Sequence, residues 1–294
     1  MLLTEESFMS HHLNITSRDK LDFQLDETLP RHWFGGDPFK TRYFDAMSIS
    51  FPDGERFFMM AVRAFKDNIT DPALLEEIKE FNRQEGQHGV VHARFNDLLR
   101  HQGIDVDKLL RINRYIQFEI YWKYFTKSFN LAATAALEHL TATMVYGFFD
   151  KSPVMASADP RVRAMYAWHA IEELEHKAVA FDVMQKGAGV GYVSRCLAMV
   201  ISTFNFTLQT LLIANYMLKV DGFSRWQRVK IVGKGLGWLY GRQGVFTGLV
   251  GHFLSYFKPG FHPNKVAISP SYQRWTAAFE HHQGDPIAAG NALY

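Results

Sequence analysis

Residues 159–187 read DPRVRAMYAWHAIEELEHKAVAFDVMQKG, and their reading decides the fold class. Asp159 before Pro160 is a helix start: the carboxylate caps free backbone N–H groups, and proline is tolerated at the first helical position. Gly187 is a natural stop. The same Asp-Pro start recurs at Asp71-Pro72, in a segment that runs to Gly103. Asp105 opens another helix through about Phe125, and a segment over about Ser128–Asp150 either continues it or stands alone. Phe57, Phe58, Ala61, Val62 and Phe65 mark a further helix, opened by Pro52-Asp53-Gly54 and closing near Asn68. Strand-like alternation is nearly absent. The expectation is an all-α domain over 51–187, preceded by an irregular arm over 1–50 that Pro30, Gly35, Gly36 and Pro38 interrupt. Residues 188–294 are expected to form apolar helices and a tail packed on that domain, with a short helix near 272–281.

The chemistry-bearing residues lie on four of these helices. The first carries Glu55, the second Glu85-Gly86-Gln87-His88, the third Glu138 and the fourth Glu173-Leu174-Glu175-His176. At about 100° per residue, positions i and i+3 sit roughly 60° apart and one turn displaced, so a carboxylate and an imidazole at that spacing can grip one ion from one helix face. Single glutamates from the other two helices can bridge two ions. One Glu-x-x-His is a weak signal, because both residues are common on solvated helix faces. Two of them, each preceded by a lone Glu on its own helix, are much less expected by chance. Glu138 lies in Ala132-Ala133-Thr134-Ala135-Ala136-Leu137-Glu138-His139-Leu140, where an unpaired buried carboxylate would be costly. The order Glu, Glu-x-x-His, Glu, Glu-x-x-His is the ligand scheme of ferritin-like dinuclear carboxylate bundles. Oxygen-rich donors with one or two imidazoles per ion suit two Fe ions, Fe/Mn or Mn/Mn better than Cu.

These motifs also carry a family resemblance. Phe51-Pro52-Asp53-Gly54-Glu55-Arg56-Phe57-Phe58, with Glu85-x-x-His88, Glu138-His139 and Glu173-x-x-His176, resembles a bacterial family of predicted metal-dependent hydrolases that belongs with ferritin-like di-metal proteins. The resemblance covers about residues 30–265. It implies a ferritin-like four-helix bundle with additional C-terminal apolar helices, and a di-metal site held by Glu55, Glu85, His88, Glu138, Glu173 and His176. His169, four residues before Glu173, adds a candidate ligand on the same face. His169-x-x-x-Glu173-x-x-His176 is similar to the motif of di-iron arylamine N-oxygenases. His92, four residues after His88, competes for that role; the alternative for either ring is to line the substrate entrance or support a ligand. Gln84 and Glu172 each precede a motif glutamate and are candidates to orient a ligand. Glu175 is expected to be exposed, and His139 to be structural or a hydrogen-bond partner. The aromatic run Tyr115, Phe118, Tyr121, Trp122, Tyr124 and Phe125 reads as core packing.

Composition narrows the classes. With 47% apolar and 21% charged residues, the 294-residue chain is globular and not disordered. A net charge of +2 without a dense Lys/Arg block argues against a nucleic-acid partner. The single cysteine, Cys196, leaves no intrachain disulfide and no cysteine-based cluster, which fits a cytoplasmic protein. MLLTEESFMSHH lacks the layout of a signal peptide. Cys196–Leu218 is long enough to span a bilayer but contains Ser202, Thr203, Asn205, Thr207, Gln209, Thr210 and Asn215. A two-span hairpin would also put the basic 219–234 stretch on the wrong side. The expectation is a soluble protein, with 196–257 touching at most a membrane surface. The leading functional expectation is a non-haem di-iron (or Fe/Mn) oxidoreductase using O₂ and an electron donor on a small apolar or aromatic substrate. The alternatives are a di-metal hydrolase, a metal store or ferroxidase, and a membrane-associated interaction protein with a structural metal. Sequence leaves the oligomeric state open.

Overall fold

The computed structural model describes residues 12–150 and 154–294. Among them the regular structure is helical, apart from an isolated antiparallel bridge between Phe34 and Ala158. The helices are α1 Pro38–Arg63, α2 Pro72–His101, α3 Val106–Arg114, α4 Trp122–Tyr124, α5 Lys127–Val145, α6 Pro160–His176, α7 Val179–Lys186, α8 Tyr192–Val220, α9 Arg225–Tyr240, α10 Val250–Ser255, α11 Pro270–His281 and α12 Pro286–Asn291. A π-helical segment, Tyr115–Tyr121, links α3 to α4, and a second, Tyr146–Asp150, follows α5. The chain is all-α.

The starts read from sequence hold at α2 and α6, where Asp71 and Asp159 accept from the N–H groups of Ala73 and Arg161. Gly103, just past α2, has φ +88°, a conformation glycine adopts at no steric cost. The expected arm ends too late, and its residues 1–11 lie outside the described residues. Asp37 caps Lys40 and Pro38 opens α1, so the helix begins fourteen residues before Pro52. Pro52 sits inside α1, where it cannot donate to the Ser48 carbonyl. Asn96 Nδ2 on α2 donates to that carbonyl instead, at 3.1 Å, so a neighbouring helix supplies the hydrogen bond that proline forfeits.

The other boundary differences are local. Phe125 and Thr126 leave helical geometry, and the Thr126 side chain caps α5, so the third and fourth expected segments are separate. The 160–187 helix is interrupted at Lys177-Ala178 into α6 and α7. The aromatic run is not core: Tyr115, Tyr124 and Phe125 are exposed, while Tyr121 and Trp122 turn partly inward. The π-helical turn changes the angular spacing and splits the run between two faces.

Buried ion pairs tie the C-terminal part to α1. Arg42, wholly buried, holds Asp45 at 2.8 Å and, at 2.6 Å, Asp221, which caps α8. α8 lays Ala198, Met199, Thr210, Ala214 and Met217 against the body of the protein and leaves its opposite face exposed.

A candidate dinuclear metal centre

Four helices bring the sequence-selected carboxylates and imidazoles to one buried place: α1 carries Glu55, α2 Glu85 and His88, α5 Glu138, and α6 His169, Glu173 and His176. All seven are buried. Their donor atoms gather into two trios, each lying within 4.8 Å: Glu55, His88 and His169, and Glu85, Glu173 and His176. Glu138 adjoins the second, with its carboxylate 3.3 Å from His176 Nε2. Sequence spacing suggests that Glu85 and His88 share an ion. The folded chain sets them in different trios, with 4.0 Å between His88 Nδ1 and the Glu85 carboxylate.

Each imidazole is oriented from outside. His88 Nε2 lies 3.1 Å from Glu172, which can only accept when ionised, so this nitrogen donates and Nδ1 faces inward. Gln84 Nε2 donates to Glu175 at 2.9 Å and to the Thr16 carbonyl at 3.2 Å, which points its Oε1 at His176 Nδ1, 2.8 Å away. His176 Nδ1 therefore donates outward, and Nε2 faces Glu85, Glu138 and Glu173 at 3.3–3.5 Å.

The third ring is set by a longer chain. Asn96 presents its amide NH₂ to the Ser48 carbonyl, so its Oδ1 faces Ser48 Oγ at 3.0 Å and takes the hydroxyl proton. Ser48 Oγ then accepts from His92 Nδ1 at 2.9 Å. His92 Nε2 in turn accepts from His169 Nδ1 at 2.8 Å. His169 Nε2 is left facing Glu173 at 3.0 Å and Glu55 at 3.9 Å. His92 thus stands behind His169, whose Nε2 faces Glu173 and Glu55.

Inside the centre most of the polar atoms lack partners. Both carboxylate oxygens of Glu55, Glu85 and Glu138, with His88 Nδ1 and His176 Nε2, are buried without a hydrogen bond. Orphaned atoms this dense are costly unless a cation satisfies them. Burial, with Glu173 and Glu138 nearby, raises the Glu55 carboxyl well above its ordinary range, and burial and the same neighbours raise Glu85. Burial also raises Glu138, to about 7. Burial opposes charge on His176, but Glu138 and Glu173 outweigh it and lift the ring to about 10. Burial opposes charge on Glu173 as well, yet His176 and His169 hold it well below the ordinary carboxylate range. Without metal, protons stand in for the missing positive charge. The donor set, its orientation and its orphaned atoms fit a pair of metal ions.

Residues that sequence reasoning missed complete the surroundings. Thr141, one turn after Glu138, donates to Glu173. Arg18 reaches in from the N-terminal segment to Glu175 at 2.7 Å and Glu172 at 3.3 Å. Glu175, expected to be exposed, is therefore buried: Arg18, Gln84, Tyr272 and the Thr16 N–H all bond it. Burial pushes Glu172 up to about 7, and Arg18 restrains the shift. His139 turns away as expected, to the His252 carbonyl at 3.1 Å, and burial lowers it to about 4. Asn96 had a legible signal, since Glu85, His88, His92 and Asn96 repeat at helical spacing along the buried face of α2. Arg18 had none.

Beside the centre lies a cavity of about 110 Å³. Glu55, His169 and Glu173 line it beside Gln117, Asn205 and Gln209, and Phe51, Phe58, Ile116, Leu137, Leu140 and Phe206 supply most of its apolar walls.

A family model described as predicted metal-dependent hydrolase matches residues 17–267. The chain belongs to that family. No curated protein and no solved structure matches it. The span shared with the family takes in every residue of the candidate centre and Arg18, and it leaves out α11 and α12.

Proposed function

We propose that this chain is a dinuclear metal enzyme that hydrolyses a small substrate with a largely apolar body. One observation carries the metal reading: three imidazoles each give their outer N–H to a fixed protein partner, while their inner nitrogens and three bare carboxylates converge. That outward bonding is how proteins orient histidine ligands. Glu55, Glu85, His88, Glu138, His169, Glu173 and His176 would hold the ions, with Gln84, His92 and Glu172 fixing ring orientation. Two bound ions would supply Lewis acidity and a water acidic enough to act as hydroxide near neutral pH. The family description supports hydrolysis as the reaction class. The chain itself contributes the apolar cavity, which binds the substrate body and excludes bulk water, and Thr141, which holds one Glu173 oxygen by a hydrogen bond.

A second reading is supported by the donor set. Four carboxylates and three imidazoles, all from helices and beside apolar walls, suit Fe or Mn and oxygen chemistry on an apolar or aromatic substrate. That reading needs O₂ and an electron donor; hydrolysis needs neither. The test is to load the metal-free chain with Fe²⁺, Mn²⁺ or Zn²⁺ under nitrogen and supply a panel of apolar esters and amides. Anaerobic turnover without reductant is the expected result. Turnover that appears only with O₂ and reductant refutes hydrolysis and selects the second reading. Binding of no metal removes both.

A further inference from the structure

The C-terminal third carries charge and apolar surface in a pattern that the metal centre does not use. Between residues 183 and 279 there are eleven Lys and Arg residues and one acid, Asp221, so this stretch carries +10 while the rest of the chain carries −8. Asp221 is itself taken up by Arg42 and Arg31.

Most of the large exposed apolar side chains lie on the same stretch. Along α9, Trp226, Val229, Leu236 and Tyr240 are all exposed, Trp226 to 77%. At about 100° per residue they fall in a stripe roughly 80° wide. Lys230 and Lys234 border one edge of it and Arg225 the other, and all three are exposed. Only Gly235 and Leu239 of α9 are buried, so the stripe is not what packs this helix onto the protein. On α8, Val193, Leu197, Val200, Phe204, Leu208 and Leu212 form a second exposed apolar row. α8 is, among the described residues, the one helix long and apolar enough to cross a bilayer, yet its other face is committed to packing. α8 also supplies Ser202, Phe206 and Gln209 to the cavity beside the metal centre.

We propose that α8 and α9 form a docking face for an anionic phospholipid bilayer, with the α9 stripe in the headgroup layer and Arg225, Lys230 and Lys234 among the phosphates. An exposed apolar stripe edged with Lys and Arg is the pattern of a helix that lies in the membrane interface, and basic residues add attraction to anionic lipid. Charge selects the bilayer over a second copy of this chain, because a two-fold contact through α9 would bring Arg225, Lys230 and Lys234 of both copies together on a helix without an acid.

The test uses the full chain and flotation with vesicles of phosphatidylcholine alone or mixed with phosphatidylglycerol. The chain should float with the mixed vesicles at low salt, bind phosphatidylcholine at least tenfold more weakly, and be released at about 1 M salt, where exposed charges are screened. Lys230→Glu with Lys234→Glu should weaken binding roughly tenfold or more. Trp226→Ser should weaken it several-fold, with an unchanged melting temperature. Arg225→Gln with Lys230→Gln replaces the reversal should that variant fail to fold. The proposal is overturned if anionic vesicles do not carry the chain, if binding ignores these substitutions, or if light scattering finds a dimer that Trp226→Ser dissolves. These readouts need no turnover, so they stand apart from the reaction proposed for the metal centre.

Discussion

Replacing Asn96 with Ala should damage metal binding from a residue that lies beyond the donor set. Asn96 donates to the Ser48 carbonyl that Pro52 cannot serve, and it takes the Ser48 hydroxyl proton. Its loss leaves a buried carbonyl unsatisfied, which costs about 1–3 kcal/mol before any cavity term. It also frees the Ser48 hydroxyl to donate to His92 Nδ1. Burial holds His92 well below its ordinary value, so the ring is neutral and must then carry its proton on Nε2. That proton would point at His169 Nδ1, and His169 would then hold a proton only on Nε2, the atom that faces Glu55 and Glu173. Losing an orienting partner of a metal-binding histidine typically costs 10–100-fold in affinity. The expected outcome is a folded chain, about 1–3 kcal/mol less stable to urea, that binds one ion normally and the other roughly 10–100-fold more weakly. Calorimetric titration of the metal-free chain with Zn²⁺ or Mn²⁺ measures the affinities. Nitrogen NMR of labelled histidine in the metal-free wild type reads the tautomers. Finding His169 Nδ1 without a proton there, or two unchanged affinities in folded Asn96→Ala, refutes the reasoning.

Four other outcomes follow from the structure. Glu138→Ala removes both oxygens of a buried carboxylate that adjoins His176 and should lower bound metal from two ions per chain to one; elemental analysis that still finds two would count against a shared role for Glu138. Metal binding should release protons, because the metal-free centre keeps one on His176 up to about pH 10 and one on Glu138 up to about pH 7. Apparent affinity should therefore rise with pH, about tenfold per unit for each proton displaced. Calorimetry at pH 8 in two buffers of different ionisation enthalpy should find at least one proton released, and none released would contradict the assignment. The same His176 proton stabilises the metal-free fold fully below the ring's ordinary value, and that contribution is lost as pH climbs towards about 10. Gly235→Ala would drive a Cβ into the Phe39 ring at the contact between α9 and α1. It should cost about 1–3 kcal/mol in urea unfolding, the usual penalty for overpacking, while leaving metal content unchanged.

Helix starts and the spacing of the candidate donors are legible in the residues alone. Asp-Pro starts fix helix beginnings locally, through one side chain and one restricted φ, so α2 and α6 were legible. The i, i+3 spacing of Glu85 with His88, and of Glu173 with His176, places each pair near one face whatever else the chain does. Tertiary structure decided what the atoms face. Pro52 reads as a helix breaker until Asn96, forty-four residues on, serves the carbonyl it abandons. Glu175 reads as a solvated charge until Arg18 crosses to it. His92 and His169 are equivalent by spacing, and only the run of hydrogen bonds from Asn96 through Ser48 turns one towards the carboxylates and sets the other behind it. The reason is common to all three. A helix periodicity records the direction in which a side chain leaves its own backbone, whereas a proton's position and a charge's burial depend on groups that other segments deliver.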